Sequence, residues 1–135
     1  MINQNIIKIV IFLLIFDGIW LGIISRNFYQ QAIQAVTGQT DNAVRTYSIP
    51  IVYVLLVAGI YLFVLPRVDQ ADLLRSSIFW GGLFGFITYA IFDFTNHAIF
   101  PGWDLKTSVI DTMWGTFLSA SVTYLTLRFN LPMIN

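Results

Sequence analysis

The stretch Ile78-Phe-Trp-Gly81-Gly82-Leu-Phe-Gly85-Phe-Ile-Thr88-Tyr-Ala-Ile-Phe-Asp93-Phe-Thr95-Asn96-His97-Ala-Ile-Phe100 decides the fold. Its first half is apolar, aromatic and glycine-rich, and its length exceeds the roughly 20 residues that a membrane-spanning helix needs. Its second half carries a carboxylate, hydroxyls, an amide and an imidazole. Asp93, Asn96 and His97 stand at i, i+3 and i+4, so a helix places them on one face. In a membrane span such groups are expensive, and an ionisable one is a functional-site hypothesis by default.

Composition supports the membrane reading. The chain has 135 residues, 57% hydrophobic and only 10% charged, with a mean hydropathy of +0.75, where soluble domains carry roughly a quarter charged residues. Net charge is zero and no Lys/Arg cluster occurs, so there is no electrostatic footprint for nucleic acid. The absence of cysteine removes disulfides, thiolate metal sites and cysteine nucleophiles. Three further stretches match the first in length and apolarity, giving expected spans at 6–24, 49–65, 78–100 and 108–127. The first of them has Lys8 ahead of an apolar run, as a signal peptide does, but it lacks a small-x-small cleavage site and carries Asp17, so it reads as a true span. The expectation is an all-α integral membrane four-helix bundle forming a single domain over 1–135, multi-pass in the lipid bilayer.

Asp17 interrupts the first span, at a cost of about 2.5–3.5 kcal/mol if it stays at the helix centre, so it must turn inward and find a partner. Gly18 and Gly22 form a small-xxx-small pair that admits another helix closely. The connection 25–48 opens with Arg26-Asn-Phe28-Tyr29-Gln-Gln-Ala32-Ile33-Gln-Ala-Val36, amphipathic at helical spacing and ended by Gly38. It reads as a short helix lying at the membrane surface, an interfacial anchor or a lid over a site. The second span, 49–65, has Pro50 in its first turn, where proline is tolerated, and is closed by Pro66; Tyr53 and Tyr61 are its polar groups, and it reads as mostly wall. The third has Gly81 and Gly85 for close packing. Pro101-Gly102-Trp103-Asp104 makes a tight turn with Trp103 at headgroup level. On the fourth, Asp111, Gly115 and Ser119 are four apart, an inward polar and small stripe. Asp17 with Trp20, and Asp111 with Trp114, are i, i+3 neighbours, which brings an indole N–H near a carboxylate on the same helix.

Depth brings these residues into one layer. With a rise of 1.5 Å per residue, Asp17 lies near the middle of its span, Asp93 about 6 Å and His97 about 12 Å past the centre of the third, and Asp111 roughly 10 Å from the centre of the fourth on the same side. Three aspartates, Asn96 and His97 can therefore converge at the end that holds the 25–48 connection. Lys8, Arg67, Arg75 and Arg128 flank the opposite, termini end, against Arg26, Arg45 and Lys106 at the site end; four against three places both termini in the cytoplasm.

The combination of Asp17-x-x-Trp20-Leu, Asp93-x-Thr95-Asn96 followed by a Trp, and Asp111-x-x-Trp114-Gly115 resembles a family of small bacterial and viral membrane proteins of unknown function, over essentially the whole chain. The resemblance implies the fold and a site at Asp17, Trp20, Asp93, Thr95, Asn96, Asp111 and Trp114, and no chemistry. His97 lies outside that motif set.

Three functions fit. Clustered carboxylates cannot all ionise, which supplies an exchangeable proton that His97 could relay; this favours a proton- or cation-coupled transporter or channel. Four helices are few for a pathway, so a homodimer is implied, by architectural analogy with the four-helix small multidrug-resistance transporters. A membrane-embedded enzyme acting on lipid, or using a metal held by aspartate and histidine, is the second reading, although no established catalytic signature is present. The third is a ligand-binding or assembly protein whose aspartates form a hydrogen-bonded clamp with Trp20, Trp114 and Tyr89. Interhelical hydrogen bonds in membranes average only about 0.6 kcal/mol, less than the insertion cost of a charge, so three carboxylates favour function over the clamp.

Overall fold

The computed structural model describes residues 3–39 and 45–129, and all its regular structure is helical. α1 spans Gln4–Ile19 and runs on through a π turn at Trp20–Ile24. α2 is the short helix Arg26–Thr37. α3 covers Ser48–Gly59 and ends in a π turn, Ile60–Val64, and a 3₁₀ turn, Leu65–Arg67. α4 is Leu73–Ile99 and α5 is Leu105–Arg128. Among the described residues three helices are long and apolar enough to cross a membrane: Gln4–Ile24, Ser48–Arg67 and Leu73–Ile99.

α5 occupies the fourth expected span without matching the apolarity of the other three. The reason lies in its position. It carries ten buried residues, among them Thr107, Ser108, Asp111, Thr112, Ser119, Thr123 and Thr126, and α1, α4 and the π turn that follows α3 all pack on it. A helix shielded by its neighbours can hold hydroxyls, which here bond partly to their own backbone: Thr116 donates to the Thr112 carbonyl at 2.8 Å and Thr123 to the Ser119 carbonyl at 2.7 Å. The outer helices instead present large apolar side chains outward, such as Val54, Leu55, Ile78, Phe79 and Ile91.

α4 and α5 form the tightest pair, and the sequence of α4 explains it. Ser77, Gly81, Gly85, Tyr89 and Asp93 recur every fourth residue along one face. A Cβ at Gly81 would collide with the Ser119 carbonyl, one at Gly85 with the Gly115 carbonyl, and one at Gly115 with the Tyr89 ring. The backbones therefore touch, as small residues permit in membranes. On α1 the inward face is Ile9, Leu13 and Asp17, again four apart, and Ile9 and Leu13 join Ile60, Val64, Leu118 and Val122 in the apolar core.

Several boundaries and roles differ from the sequence expectation. α4 begins at Leu73, not near 78, because Leu73-Leu-Arg-Ser-Ser forms its first turns. Gly18 and Gly22 do not face another helix of the described chain: a Cβ at either would meet nothing within 4 Å. Trp103 is turned inward, only 8% exposed, with its ring edge-on to Phe92 at 6.0 Å and 89°; the Asp104 cap, accepting from the Thr107 N–H at 2.6 Å, pulls the turn back against the bundle.

Candidate functional site

Asp17, Asp93 and Asp111 gather at the α2 end of the helices, and tyrosines and tryptophans bond to the first and the last of them. Asp17 is 6% exposed. Its two oxygens accept from the Trp114 indole at 3.0 Å and from the Tyr53 hydroxyl at 3.1 Å. Asp111, also 6% exposed, accepts a hydrogen bond from the Tyr29 hydroxyl. That hydroxyl accepts in turn from the Trp20 indole at 3.1 Å. The two indoles lie face to face, centroids 4.4 Å apart and planes within 6° of parallel.

The tryptophans thus serve each other's side of the site. The i, i+3 spacing leads one to expect Trp20 beside Asp17 and Trp114 beside Asp111. Instead Trp114 reaches across to Asp17, and Trp20 bonds Tyr29 of α2. Stacking fixes the crossing, since two large rings between α1 and α5 fit flat against each other and their N–H edges then point to different partners. The π turn that starts at Trp20 belongs to the same region; the Ser25 N–H closes it on the Trp20 carbonyl at 2.7 Å, and the Ser25 hydroxyl adds a second bond of 2.7 Å.

Asp93 is different. It is fully buried, and neither carboxyl oxygen completes a hydrogen bond among the described residues. The polar side chains facing it are the Asp111 carboxyl and the Trp103 indole, whose N–H is itself unpartnered. The backbone of Asp93 is held separately, by the Ser108 hydroxyl on its carbonyl at 3.2 Å. Among the described residues no basic side chain forms an ion pair with this layer; Arg75–Asp72 at 3.9 Å belongs to the start of α4.

The other expected site residues of this stretch, Asn96 and His97 on the shared face and Thr95 from the motif, separate from Asp93. Thr95 and His97 are exposed, and Asn96 is half-buried. Thr95 shares an outer surface with Ile91, Phe94 and Ala98. The His97 Nδ1 bonds the Trp103 carbonyl at 2.7 Å and so ties α4 to the turn before α5. α4 ends at Ile99, which leaves its last turn past the packed interface and its side chains outside. No group of three His, Asp or Glu with metal-holding geometry occurs among the described residues.

Three tyrosines complete the layer. Tyr53, expected as wall, holds Asp17. Tyr29 is the polar contact of the surface helix; burial first, then the Asp111 carboxyl, push its phenol well above the ordinary range, so it remains a neutral donor. Tyr89 stands within the electrostatic reach of Asp17, Asp111, Tyr29 and Tyr53. The available signal was chemical: a phenol O–H inside an apolar helix finds a partner when buried, and the carboxylates supplied the acceptors.

No curated protein and no solved structure matches this chain. A family model described as "Predicted membrane protein (DUF2177)" matches residues 2–128. That match takes in every helix described above, and it settles the family: this chain belongs to DUF2177, membrane proteins of unknown function.

Proposed function

We propose that the protein is a four-span membrane protein that exchanges a proton or a small cation at the Asp93–Asp111 pair, in the class of coupled transporters and channels. The carrying observation is Asp93, a fully buried carboxyl that completes no hydrogen bond among the described residues and faces a second carboxyl, with the Trp103 indole the one donor turned toward it. Buried charges are ordinarily paired or hydrogen-bonded. What this pair lacks is a positive charge, and a proton or a cation supplies one. A permanent structural role would be better served by donors of the kind that Asp17 has.

The fourth span is α5, carried inside the other three. Both termini lie in the cytoplasm by the charge distribution; Lys8 supports its place at the termini end, because its Nζ reaches the Phe129 carbonyl at 3.1 Å. The open Gly18/Gly22 face of α1 supports pairing with a second copy. At Asp17 a clamp is favoured over exchange, since two donors from α3 and α5 fix it.

The test is flux. Purified protein in liposomes carrying an internal pH dye should move protons or monovalent cations under an imposed potential, and Asp93→Asn should return the rate to that of empty liposomes. Wild-type liposomes indistinguishable from empty ones would sink the reading.

A further inference from the structure

Asp93 is fully buried and Asp111 nearly so, so whatever exchanges there needs a route. Two features approach it. One is an apolar cleft of about 680 Å³ between α1 and α3, lined by Val10, Leu14, Tyr53, Val54 and Ala58 among others and facing outward, where the bilayer would lie. Its polar wall is Tyr53, and the Tyr53 hydroxyl is engaged with Asp17, not with Asp93. The other is α2. Its inner face is the series Ser25, Phe28, Tyr29, Ala32 and Val36, all buried or half-buried at helical spacing. Tyr29 alone of these bonds a carboxyl of the pair. Farther along, the Ala35 carbonyl rests on Gly102, where a Cβ would collide with it. Helix and turn therefore meet backbone to backbone over the α4–α5 turn that carries Trp103.

We propose that α2 is the gate of this site and Tyr29 its latch: the exchanging species is water-borne, and it reaches Asp93 from the aqueous face when the Tyr29–Asp111 hydrogen bond breaks. This rests on the exchange reading above and adds the route and the class of substrate, a proton or small hydrated cation in place of a lipid-soluble amphiphile. The chemistry is a substitution. The Tyr29 O–H presents the positive end of a dipole to Asp111, and an arriving proton or cation takes over that role, so occupancy and opening are linked. The latch is one hydrogen bond deep, whereas α4 and α5 are joined along their length.

Modification of the carboxyls by a water-soluble carbodiimide, resolved residue by residue by mass spectrometry, tests the route without requiring transport. Tyr29→Phe removes the latch, and Gly102→Val forces a side chain against the Ala35 carbonyl. Each should speed labelling of Asp93 and Asp111 about fivefold, the factor expected for one ordinary hydrogen bond, while Asp17 keeps the wild-type rate. Val54→Trp, which fills the cleft between α1 and α3, should change nothing. The gate is overturned if both α2-side variants label Asp93 at the wild-type rate, if Asp17 accelerates equally in both, or if Val54→Trp slows labelling. Labelling that responds as expected in liposomes without flux keeps the gate and removes exchange. Flux that depends on Asp93 while labelling ignores both α2-side variants keeps exchange and removes the gate.

Discussion

Asp17 and Asp93 are both buried aspartates in long apolar helices, and their surroundings are opposite. Asp17 receives two hydrogen bonds from two other helices. Asp93 is the more deeply buried and receives none. Burial alone therefore does not distinguish these two carboxyls. The count of donors does.

The comparison can be broken most directly at Asp93. Asp93→Leu should abolish exchange while leaving stability equal or higher, because no side-chain hydrogen bond is lost and an insertion cost of about 2.5–3.5 kcal/mol is relieved; liposome flux beside denaturant unfolding in micelles measures both. Asp17→Leu should do the reverse and lower folding stability by about 2–4 kcal/mol, since the half-buried Trp114 and Tyr53 donors each lose their acceptor. Asp17→Asn keeps an acceptor and should recover most of that loss in the same unfolding assay. If instead Asp93→Leu unfolds the protein and Asp17→Leu does not, the roles assigned to the two residues are exchanged.

Gly115→Ala sharpens the contrast from between the two sites. The new methyl meets the Tyr89 ring, and overpacking of this kind costs about 1–3 kcal/mol, read as a lower unfolding midpoint. His97→Gln should have the smallest effect. Its one hydrogen bond holds the turn, so stability falls by about 0.6 kcal/mol and flux keeps the wild-type rate. A large loss of flux in that variant would return His97 to the proton path.

Much of this was legible in the residues. The helical stretches were visible, three of them as runs long and apolar enough to cross a membrane, and helical rise alone grouped Asp17, Asp93 and Asp111 toward one end of the helices. The stripe Gly81, Gly85 against Gly115, Ser119 was legible too, because small residues at a spacing of four have few other uses in an apolar helix. What the linear pattern could not give was partner choice. Spacing paired each tryptophan with the aspartate on its own helix, while packing between helices paired Trp114 with Asp17 across the bundle. Nor could spacing show where α4 leaves the packed interface, so Asn96 and His97 looked equivalent to Asp93 on one face. Tyr29 and Tyr53 were hidden for a related reason: a phenol reads as apolar filling until its acceptor is known.

The parallel indoles of Trp20 and Trp114 have an optical consequence. Two chromophores stacked at 4.4 Å couple their transitions and give a paired signal in ultraviolet circular dichroism. Trp20 is bonded to the tyrosine of the surface helix and Trp114 to Asp17, so displacement of either element alters the coupling. The protein thus carries an intrinsic spectroscopic gauge at its centre, readable in unlabelled material while ions, pH or lipid are varied.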